Sequence, residues 1–192
     1  WADGCGLNAS RFGIVRGTLS RFHKHSYAAS FLQVAAYRFH RALRIYERHV
    51  DRFIAPSEFL RNQLILGGFP AERTTTLHHG IDPDVIAPRY DHDGYMLYVG
   101  RLVEEKGVET IIALARLLPD IRFRIVGTGP EEARLHALGH DCRNVEFLGF
   151  KSGDALYELY RGAIAVLMPS RWHEVFPLSM LEAMSAGKPV IA

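Results

Sequence analysis

Cysteine is scarce in this chain, and long apolar runs are missing from it. Only Cys5 and Cys142 occur among its 192 residues, which excludes a framework of disulfide bridges and a paired-cysteine metal site. The longest uninterrupted apolar stretch runs from Ala163 to Met168, far short of the roughly 20 residues that a membrane-spanning helix needs. We therefore expect a protein of a reducing compartment, with two packed or idle thiols and no spanning helix.

The chain also lacks a strong excess of charge of either sign, because 23 Lys and Arg stand against 21 Asp and Glu. The charge is unevenly spread, however, since residues 1–50 hold only Asp3 and Glu47 against many basic side chains. Such asymmetry favours contact with an anionic membrane surface or partner, and a solvated basic helix face is the alternative. No nucleic-acid-binding motif accompanies the charge, so we expect no nucleic-acid partner. The basic side chains of this segment are Arg11, Arg16, Arg21, Lys24, Arg38, Arg41, Arg44 and Arg48.

The composition, 48% apolar and 23% charged, is that of an ordinary globular protein. Apolar periodicity divides the chain into two parts that are organised differently. Residues 26–50 repeat apolar side chains at steps of three and four, which predicts one long amphipathic helix. A short strand at 52–55, a helix capped by Ser57 and ended by Gly67-Gly68, and a strand at 74–77 follow. Residues 79–94 are irregular and rich in Pro, Asp and Gly, which indicates an interdomain connection.

Regular alternation of strand and helix begins after Gly94. Strands are predicted at 95–99, 122–126, 145–148, 163–168 and from 189 onward. The helices predicted between them span about 108–118, a segment that ends at about 138, 152–161 and 177–186. This order indicates a Rossmann-like parallel sheet of the α/β class, covered on both faces. We accordingly predict residues 1–80 as the C-terminal part of one domain, 81–94 as a linker, and 95–192 as a second domain, incomplete at its C-terminus.

The turns that follow the strands are the predicted location of the chemistry. In an open parallel sheet, ligands bind beyond the carboxyl ends of the strands, so these turns are expected to form one shared site. They comprise Gly100-Arg101 with Lys106-Gly107, Gly127-Thr128-Gly129-Pro130, Gly149-Phe150, and Ser170 through Leu178.

The first two turns carry features that suit a diphosphate. Arg101 offers a planar fork of donors and Lys106 a compact charge, and both flank one loop; surface solvation is the alternative. The turn at Gly127 resembles a phosphate-binding turn but lacks the third glycine of the dinucleotide fingerprint. A tight turn into a helix explains it equally well, and the missing glycine argues against a nicotinamide dehydrogenase.

The segment from Glu174 to Glu182 is the most informative. Pro177 fits the start of a helix, where its missing N–H costs nothing, and the free amides of Leu178 and Ser179 then form an anion site. Glu174 before this start and Glu182 about one turn inside it are placed to accept hydrogen bonds from sugar hydroxyls on either side of a phosphate.

From about Val50 onward, these motifs and their spacing resemble the retaining glycosyltransferases of the GT-B fold, in family 4 of glycosyltransferases (glycosyl transferases group 1). Residues 1–49 resemble the acceptor domain of that fold more loosely. The resemblance implies a chain truncated at both ends and inactive in isolation, because a GT-B site forms between two complete domains. The matching stretches are Ala55-Pro56-Ser57, His79-Gly80-Ile81-Asp82, Tyr98-Val99-Gly100-Arg101-Leu102 with Glu105-Lys106-Gly107, Val126 to Pro130, Phe147-Leu148-Gly149, Met168-Pro169-Ser170, the two-glutamate segment, and Leu181 to Met184 with Gly187 to Val190.

The resemblance also implies roles for individual residues. Arg101 and Lys106 would neutralise the departing diphosphate, and Glu174 would hold hydroxyls of the transferred sugar. The remaining expected contacts are with the donor: Glu182 with the ribose, the backbone at Phe176 and Leu178 with phosphate, Gly149 and Phe150 with the base, and Gly100 and Gly127 through close approach of the main chain.

No cofactor and no metal are expected, only a nucleotide-diphosphate sugar as co-substrate. His136 and His140 lack a third ligand in the sequence, and His173, next to Glu174, is interpreted as an ordinary loop histidine, with contact to the donor sugar as the alternative. Two departures from the family pattern are Pro177, where glycine is common, and His79, where asparagine is usual. The resemblance implies transfer to a glycan, lipid-linked or small-molecule acceptor by a cytoplasmic enzyme, with peripheral contact at the inner face of an anionic membrane if the basic segment serves that purpose. A GT-B epimerase or phosphorylase, and a non-catalytic nucleotide-binding scaffold, remain alternatives.

Overall fold

The computed structural model describes residues 26–82, 84–172 and 174–192, without the side chain of Arg41. Cys5, the basic residues before position 26, Pro83 and His173 lie outside the described residues. The structure divides into two compact units, the first ending at His79 and the second running from Gly80 to Ala192. Within the described ranges, no helix is both long and apolar enough to cross a membrane.

The first unit pairs two short parallel strands with helices. Ser57 has an extended backbone, and its hydroxyl accepts a hydrogen bond from the amide of Leu60 at 3.3 Å, which caps the third helix as the sequence predicts. Gly68 adopts a φ of 88° just after that helix, where a side chain would be strained. The elements of this unit are α1 (Tyr27–Ala42), α2 (Ile45–His49), β1 (Phe53–Ala55), α3 (Glu58–Leu66) and β2 (Thr74–Thr76).

The prediction of one continuous helix over residues 26–50 is wrong at Arg44, and the structure also shows which side chains of the first helix are buried. Arg44 lies in the left-handed region with a φ of 51°, and the helix is interrupted there. The fully buried residues of α1 are Ser30 and Val34, while Phe31 and Phe39 of the predicted apolar face are exposed. Periodicity identifies residues that share a helix face, but it does not identify which face meets a core or where a single residue leaves the helical region.

The second unit is built on a five-stranded, wholly parallel sheet. Its strand order is β5-β4-β3-β6-β7, with the first strand of the unit at the centre. This confirms the predicted Rossmann-like α/β architecture. Its elements are β3 (Tyr95–Val99), α4 (Val108–Leu117), β4 (Arg122–Val126), α5 (Glu132–Leu138), β5 (Val145–Gly149), α6 (Gly153–Gly162), β6 (Ala163–Leu167), α7 (Leu178–Ser185) and β7 (Val190–Ile191).

Two apolar clusters hold the sheet and its helices together. In the first, buried side chains of α4 and α5 such as Ile112 and Leu135 pack with Ile125 of the sheet. In the second, Tyr160 of α6 and Ala183 of α7 pack with other strand residues. The two clusters together cover both faces of the sheet. Because strand side chains alternate between the faces, successive residues of each strand are buried, which explains the continuous apolar strands.

The segment predicted as an interdomain connection packs on the second unit. Ile86 is fully buried in the second apolar cluster. The amide of Arg89 donates to the carbonyl of Ala186 at 3.1 Å, and that of Asp93 to the carbonyl of Gly162 at 2.8 Å. Irregular segments can thus belong to a core through single apolar side chains. The assignment of residues 1–80, 81–94 and 95–192 to an acceptor domain, a linker and a donor domain stays a prediction.

Candidate functional site

The strand order places a topological switch point at the carboxyl ends of β3 and β6. The chain leaves β3, adds β4 and β5 on one side of it, and then returns to place β6 on its other side. The helices that follow β3 and β6 pack in different apolar clusters, on opposite faces of the sheet, and ligands of open α/β sheets bind at such a switch point. The loop after β3 holds Arg101 and Lys106, and the loop after β6 leads to Glu174.

Backbone hydrogen bonds join the predicted loops into one edge. The loop after β3 bonds three times to the end of β4 and its loop, one of these bonds running from Glu131 N to Leu102 O at 3.0 Å, while the loops after β4 and β5 are joined once and the loops after β3 and β6 once. The other donor and acceptor pairs are Gly100 N to Val126 O at 3.0 Å, Leu102 N to Thr128 O at 3.0 Å, Gly127 N to Gly149 O at 2.8 Å, and Arg171 N to Glu105 O at 2.8 Å.

Close approach between these loops accounts for two of the glycines. Gly127 has a φ of 134°, and a Cβ at this position would lie 1.9 Å from the carbonyl oxygen of Gly100. Gly107 has a φ of 63°, and its Cβ would lie 2.1 Å from the carbonyl oxygen of Pro169. A side chain at either position would collide with backbone atoms and adopt an unfavourable φ, so these glycines keep the loops together.

Lys106 and Glu174 form an ion pair across the switch point. Lys106 Nζ lies 2.5 Å from Glu174 Oε1, and the two side chains are 24% and 20% exposed. The hydroxyl of Ser170 donates to the same oxygen at 2.5 Å, and Trp172 Nε1 does so at 3.3 Å. Glu174 Oε2 accepts no hydrogen bond from the described residues. One oxygen thus holds the carboxylate in place, and the other is left for a ligand.

The electrostatics of the pair keep Glu174 ionised. Burial by itself would raise the pKa of this carboxyl, but the hydrogen bonds from Lys106 and Ser170 outweigh burial and place the pKa below its ordinary value. Tyr98 lies close enough to respond to this charge. Burial first, and then the negative charge of Glu174, raise the pKa of the Tyr98 phenol well above its ordinary value.

Arg101 stands at the same edge with its side chain exposed to solvent. The Tyr98 hydroxyl donates to the carbonyl of Arg101 at 3.0 Å, which fixes the backbone of this residue. Within the described part of the chain, no carboxylate forms an ion pair with the Arg101 guanidinium. Its charge is therefore available to an anionic ligand, whereas that of Lys106 is shared with Glu174.

Helix α7 begins beside this edge. Pro177 immediately precedes the helix, with a φ of −76°, and Leu178 is its first residue. The amides of the first helical turn have no partner within the helix, and the positive end of the helix dipole lies there. Leu178 is 55% exposed, so this helix end is not covered by the core.

Glu182 lies one turn further along α7, on the side of Leu178 because residues four apart share a helix face. Its Oε2 accepts a hydrogen bond of 2.7 Å from the hydroxyl of Tyr160, a fully buried residue of α6. Within the described ranges, no hydrogen bond or ion pair joins Glu182 to Lys106 or Glu174.

The other predicted donor-binding residues have separate positions on this edge. Gly149 has a φ of 66° with open space where a Cβ would stand. Phe150 follows it with 71% of its surface exposed, and Phe176 is half-buried. The structure thus brings Gly100, Gly127, Gly149, Arg101, Lys106 and Glu174 to one edge of the sheet, with Phe150, Phe176, Leu178 and Glu182 on the adjoining loops and helix.

Sequence reasoning missed the hydrogen bonds that Tyr160, Ser170 and Trp172 donate to the two glutamates. Ser170 and Trp172 lie within the loop that leads to Glu174, so their closeness in sequence was an available signal. Tyr160 reaches Glu182 across 22 positions, and no sequence pattern indicated that contact.

The histidines considered as metal ligands have other contacts. His136 stacks on Phe147 with 4.1 Å between the ring centroids, and His140 Nδ1 lies 3.0 Å from the carbonyl oxygen of Ala137. In the three described ranges, no group of three or more His, Cys, Asp or Glu side chains is arranged to hold a metal ion. The described cysteine, Cys142, is buried and unbridged, and burial raises the pKa of its thiol.

Two family models match the chain. The model of glycosyl transferases group 1 matches residues 85–192, and the model of glycosyltransferase family 4 matches residues 3–85. Among curated proteins, the GDP-mannose-dependent alpha-mannosyltransferase of Mycobacterium tuberculosis is 33% identical over 178 residues, covering 87% of this chain and 44% of that protein. The sulfoquinovosyl transferase SQD2 of Arabidopsis thaliana is 30% identical over 164 residues, covering 78% of this chain and 32% of that protein. The chain thus spans less than half the length of these relatives.

Solved structures share the fold. The crystal structure of Anabaena Alr3699/HepE in complex with UDP superposes with a TM-score of 0.68 and 23% identity, covering 97% of this chain and 57% of that one. The structure of TarM superposes with a TM-score of 0.65 and 23% identity, covering 82% of this chain and 31% of that one. At this level of identity, the likeness supports the three-dimensional arrangement alone.

Proposed function

The chain belongs to the glycosyl transferases of group 1, which have the GT-B fold, and from this premise we propose that its gene product moves a sugar from a nucleotide-diphosphate sugar to an acceptor with retention of anomeric configuration. The observation that carries the proposal is the Lys106–Glu174 pair at the switch point of the parallel sheet. A cation and a carboxylate in contact there suit a ligand that is part diphosphate and part sugar. The structure of Anabaena Alr3699/HepE in complex with UDP and glucose supports such a donor.

Cleavage of the sugar–phosphate bond leaves negative charge on the diphosphate. In the proposed reaction Arg101 and Lys106 stabilise this charge, and donors that are already in place act most strongly as the charge develops. The first amides of α7, near Phe176 and Leu178, hold phosphate oxygens. Pro177 removes one amide donor from this loop, so the remaining donors carry the contact.

The two carboxylates recognise hydroxyl groups in this scheme. Glu174 binds hydroxyls of the transferred sugar through Oε2, while Oε1 stays bonded to Lys106, Ser170 and Trp172. Glu182 binds the ribose, Gly149 and Phe150 adjoin the base, and Gly100 and Gly127 let the main chain approach the donor. We further propose that no bound metal takes part, because Arg101 and Lys106 supply the positive charge.

Nucleotide binding by the full-length gene product tests the donor site. UDP, GDP and ADP are titrated by calorimetry against the wild-type protein, Arg101→Ala, Glu182→Ala and the control Arg143→Ala, an exposed arginine away from the proposed site. We expect one diphosphate to bind saturably and both site variants to bind at least about tenfold more weakly. Absence of binding by all three nucleotides, or equal binding by all variants, contradicts the site.

Transfer and stereochemistry need a second measurement. The sugar nucleotide of the preferred base is incubated with candidate glycan, lipid-linked and small-molecule acceptors, with and without EDTA, and the anomeric proton of the product is followed by NMR. We expect a product with the donor's configuration that forms equally with EDTA. Saturable binding without transfer to any acceptor favours a scaffold, and an altered free sugar or a sugar phosphate favours an epimerase or phosphorylase.

A further inference from the structure

The side chain of Tyr160 is buried, and its hydroxyl is hydrogen-bonded to Glu182. Tyr160 lies on α6 and is fully buried, with its ring packed in the second apolar cluster beside Leu97, Val126 and Ala183. Its only side-chain polar atom donates to Glu182 Oε2 at 2.7 Å. Burial first, and then the bond to Glu182, raise the pKa of this phenol far above its ordinary value, so the hydroxyl remains a donor throughout the neutral range.

The bond leaves one oxygen of the carboxylate open. Glu182 is half-buried, and its Oε1 has no hydrogen-bond partner among the described residues. A glutamate side chain at a partly exposed helix position ordinarily samples several rotamers. A hydrogen bond from the hydroxyl of a tyrosine whose ring is packed in the core selects one of these rotamers, because the tyrosine cannot move without disturbing its neighbours.

Resting on the proposed donor site, we propose that Tyr160 is a positioning residue that holds Glu182 by Oε2 so that Oε1 accepts a hydrogen bond from the ribose 2′-hydroxyl of the donor. The hydroxyl acts only through Glu182 and does not touch the ligand. Because a site built to bond a hydroxyl rejects ligands that lack it, the pair makes the site selective for ribonucleotides over 2′-deoxyribonucleotides.

A substitution that removes a single oxygen atom tests this role. Tyr160→Phe keeps the ring in the core and deletes only the bond to Glu182. The matched control is Tyr157→Phe, one turn earlier on the same helix, where the half-buried tyrosine hydroxyl has no hydrogen-bond partner among the described residues. Tyr160→Phe and Tyr157→Phe are made in the full-length gene product, together with Glu182→Ala and the double variant Tyr160→Phe/Glu182→Ala. Thermal unfolding shows whether each of the four variants is folded.

The readout is the ratio of two dissociation constants on each variant. Calorimetry measures the tightest binder among UDP, GDP and ADP, together with its 2′-deoxy counterpart. We expect wild type and Tyr157→Phe to bind the ribose form about tenfold more tightly than the deoxy form, and Tyr160→Phe to lose most of this preference. The double variant is expected to match Glu182→Ala, because the hydroxyl has no effect without the carboxylate. Both nucleotides are titrated against the same preparation of each variant. A partial loss of folded protein therefore affects both measurements equally and cancels in the ratio of the dissociation constants.

The outcomes separate this inference from the function on which it rests. Wild-type binding with an unchanged ribose preference in Tyr160→Phe overturns the positioning role and leaves the donor site standing. An equal loss in Tyr157→Phe, or additive losses in the double variant, assigns the effect to packing and also overturns it. If the wild-type protein binds none of the three diphosphates, the proposed function fails, and this inference fails with it.

Discussion

Three donors on one oxygen of Glu174 determine how this residue couples stability to pH. Because its folded pKa lies below the ordinary value of 4.5, the ionised carboxylate is favoured in the folded protein. Such a group contributes stability that is fully present above the unfolded pKa and is lost as pH falls through the folded pKa. The relevant window therefore lies at and below about pH 4.5.

We predict that Glu174→Gln weakens this acid sensitivity. The variant should lose about 1 kcal/mol of unfolding free energy at neutral pH, because a partly exposed pair contributes little, and the difference from wild type should shrink as pH falls below about 4. Urea unfolding between about pH 3 and pH 7 measures it. Glu104→Gln is the control, since this exposed glutamate has no ion pair among the described residues. A constant difference at every pH contradicts the assignment.

Gly127 is the position where a single added methyl group should do most damage. A Cβ there would meet the Gly100 carbonyl at 1.9 Å and adopt a φ of 134°. We predict that Gly127→Ala lowers the unfolding free energy by about 3 kcal/mol through backbone strain and abolishes nucleotide binding. Gly80→Ala, with nothing within 4 Å of its added Cβ, should change stability by less than about 0.5 kcal/mol. Equal effects of the two substitutions in denaturant titrations would refute the close-approach argument.

At the scale of elements, two helices begin with a serine in the same backbone conformation but with different bonding. Ser57 precedes α3 with φ −146° and bonds the Leu60 amide, whereas Ser152 precedes α6 with φ −151° and makes no capping bond. The pair therefore isolates the contribution of the cap from that of the residue type.

We predict that Ser57→Ala lowers stability by about 1 kcal/mol, because an amide of the first turn loses its partner. Ser152→Ala should stay within about 0.5 kcal/mol of wild type, as other substitutions without a lost contact do. Thermal or urea unfolding of both variants measures the difference. A larger loss for Ser152→Ala than for Ser57→Ala would show that the capping bond does not contribute as assigned.

The interruption between α1 and α2 shows where element-scale reasoning needs tertiary structure. Arg44 adopts a left-handed φ that costs about 1–2 kcal/mol for a residue with a side chain. Local propensity gives no reason to expect this at an arginine. The structure shows this conformation, which the apolar spacing of residues 26–50 does not indicate.

At the scale of the whole molecule, the basic first segment raises the question of a surface partner. Within the described residues, Arg38, Arg44 and Arg48 present exposed side chains on or between α1 and α2. We propose that this segment contacts the anionic face of a membrane, because opposite charges attract across that surface.

We predict that the full-length gene product floats with vesicles containing anionic lipid and not with neutral vesicles. Replacing Arg38, Arg44 and Arg48 by Gln should weaken binding about 100-fold, at about 1 kcal/mol for each charge. Raising salt from roughly 0.1 M to 0.5 M should release the wild-type protein. Arg143→Gln serves as the control and should bind as wild type does. Indifference to lipid charge would leave the segment as a solvated basic face.

The sequence by itself determined the alternation of strands and helices, the positions of the turns and the family. These follow from local physics, because apolar spacing, helix caps and left-handed glycines act within a few residues. The position of Arg101, Lys106, Glu174 and the turn glycines at one sheet edge follows from the order of strands and turns, because parallel strands all end at the same edge.

Only the tertiary structure decided which of these residues touch. The same alternation of strands and helices along the chain is compatible with several strand orders. Lys106 meets Glu174, 68 positions away in the sequence, because β6 lies beside β3 in the sheet. The Tyr160–Glu182 bond, the burial of Ile86 and the exposure of Phe31 and Phe39 depend likewise on which surfaces pack together. Packing is a property of distant parts of the chain in contact, and a pattern read along one segment contains no information about the segment it meets.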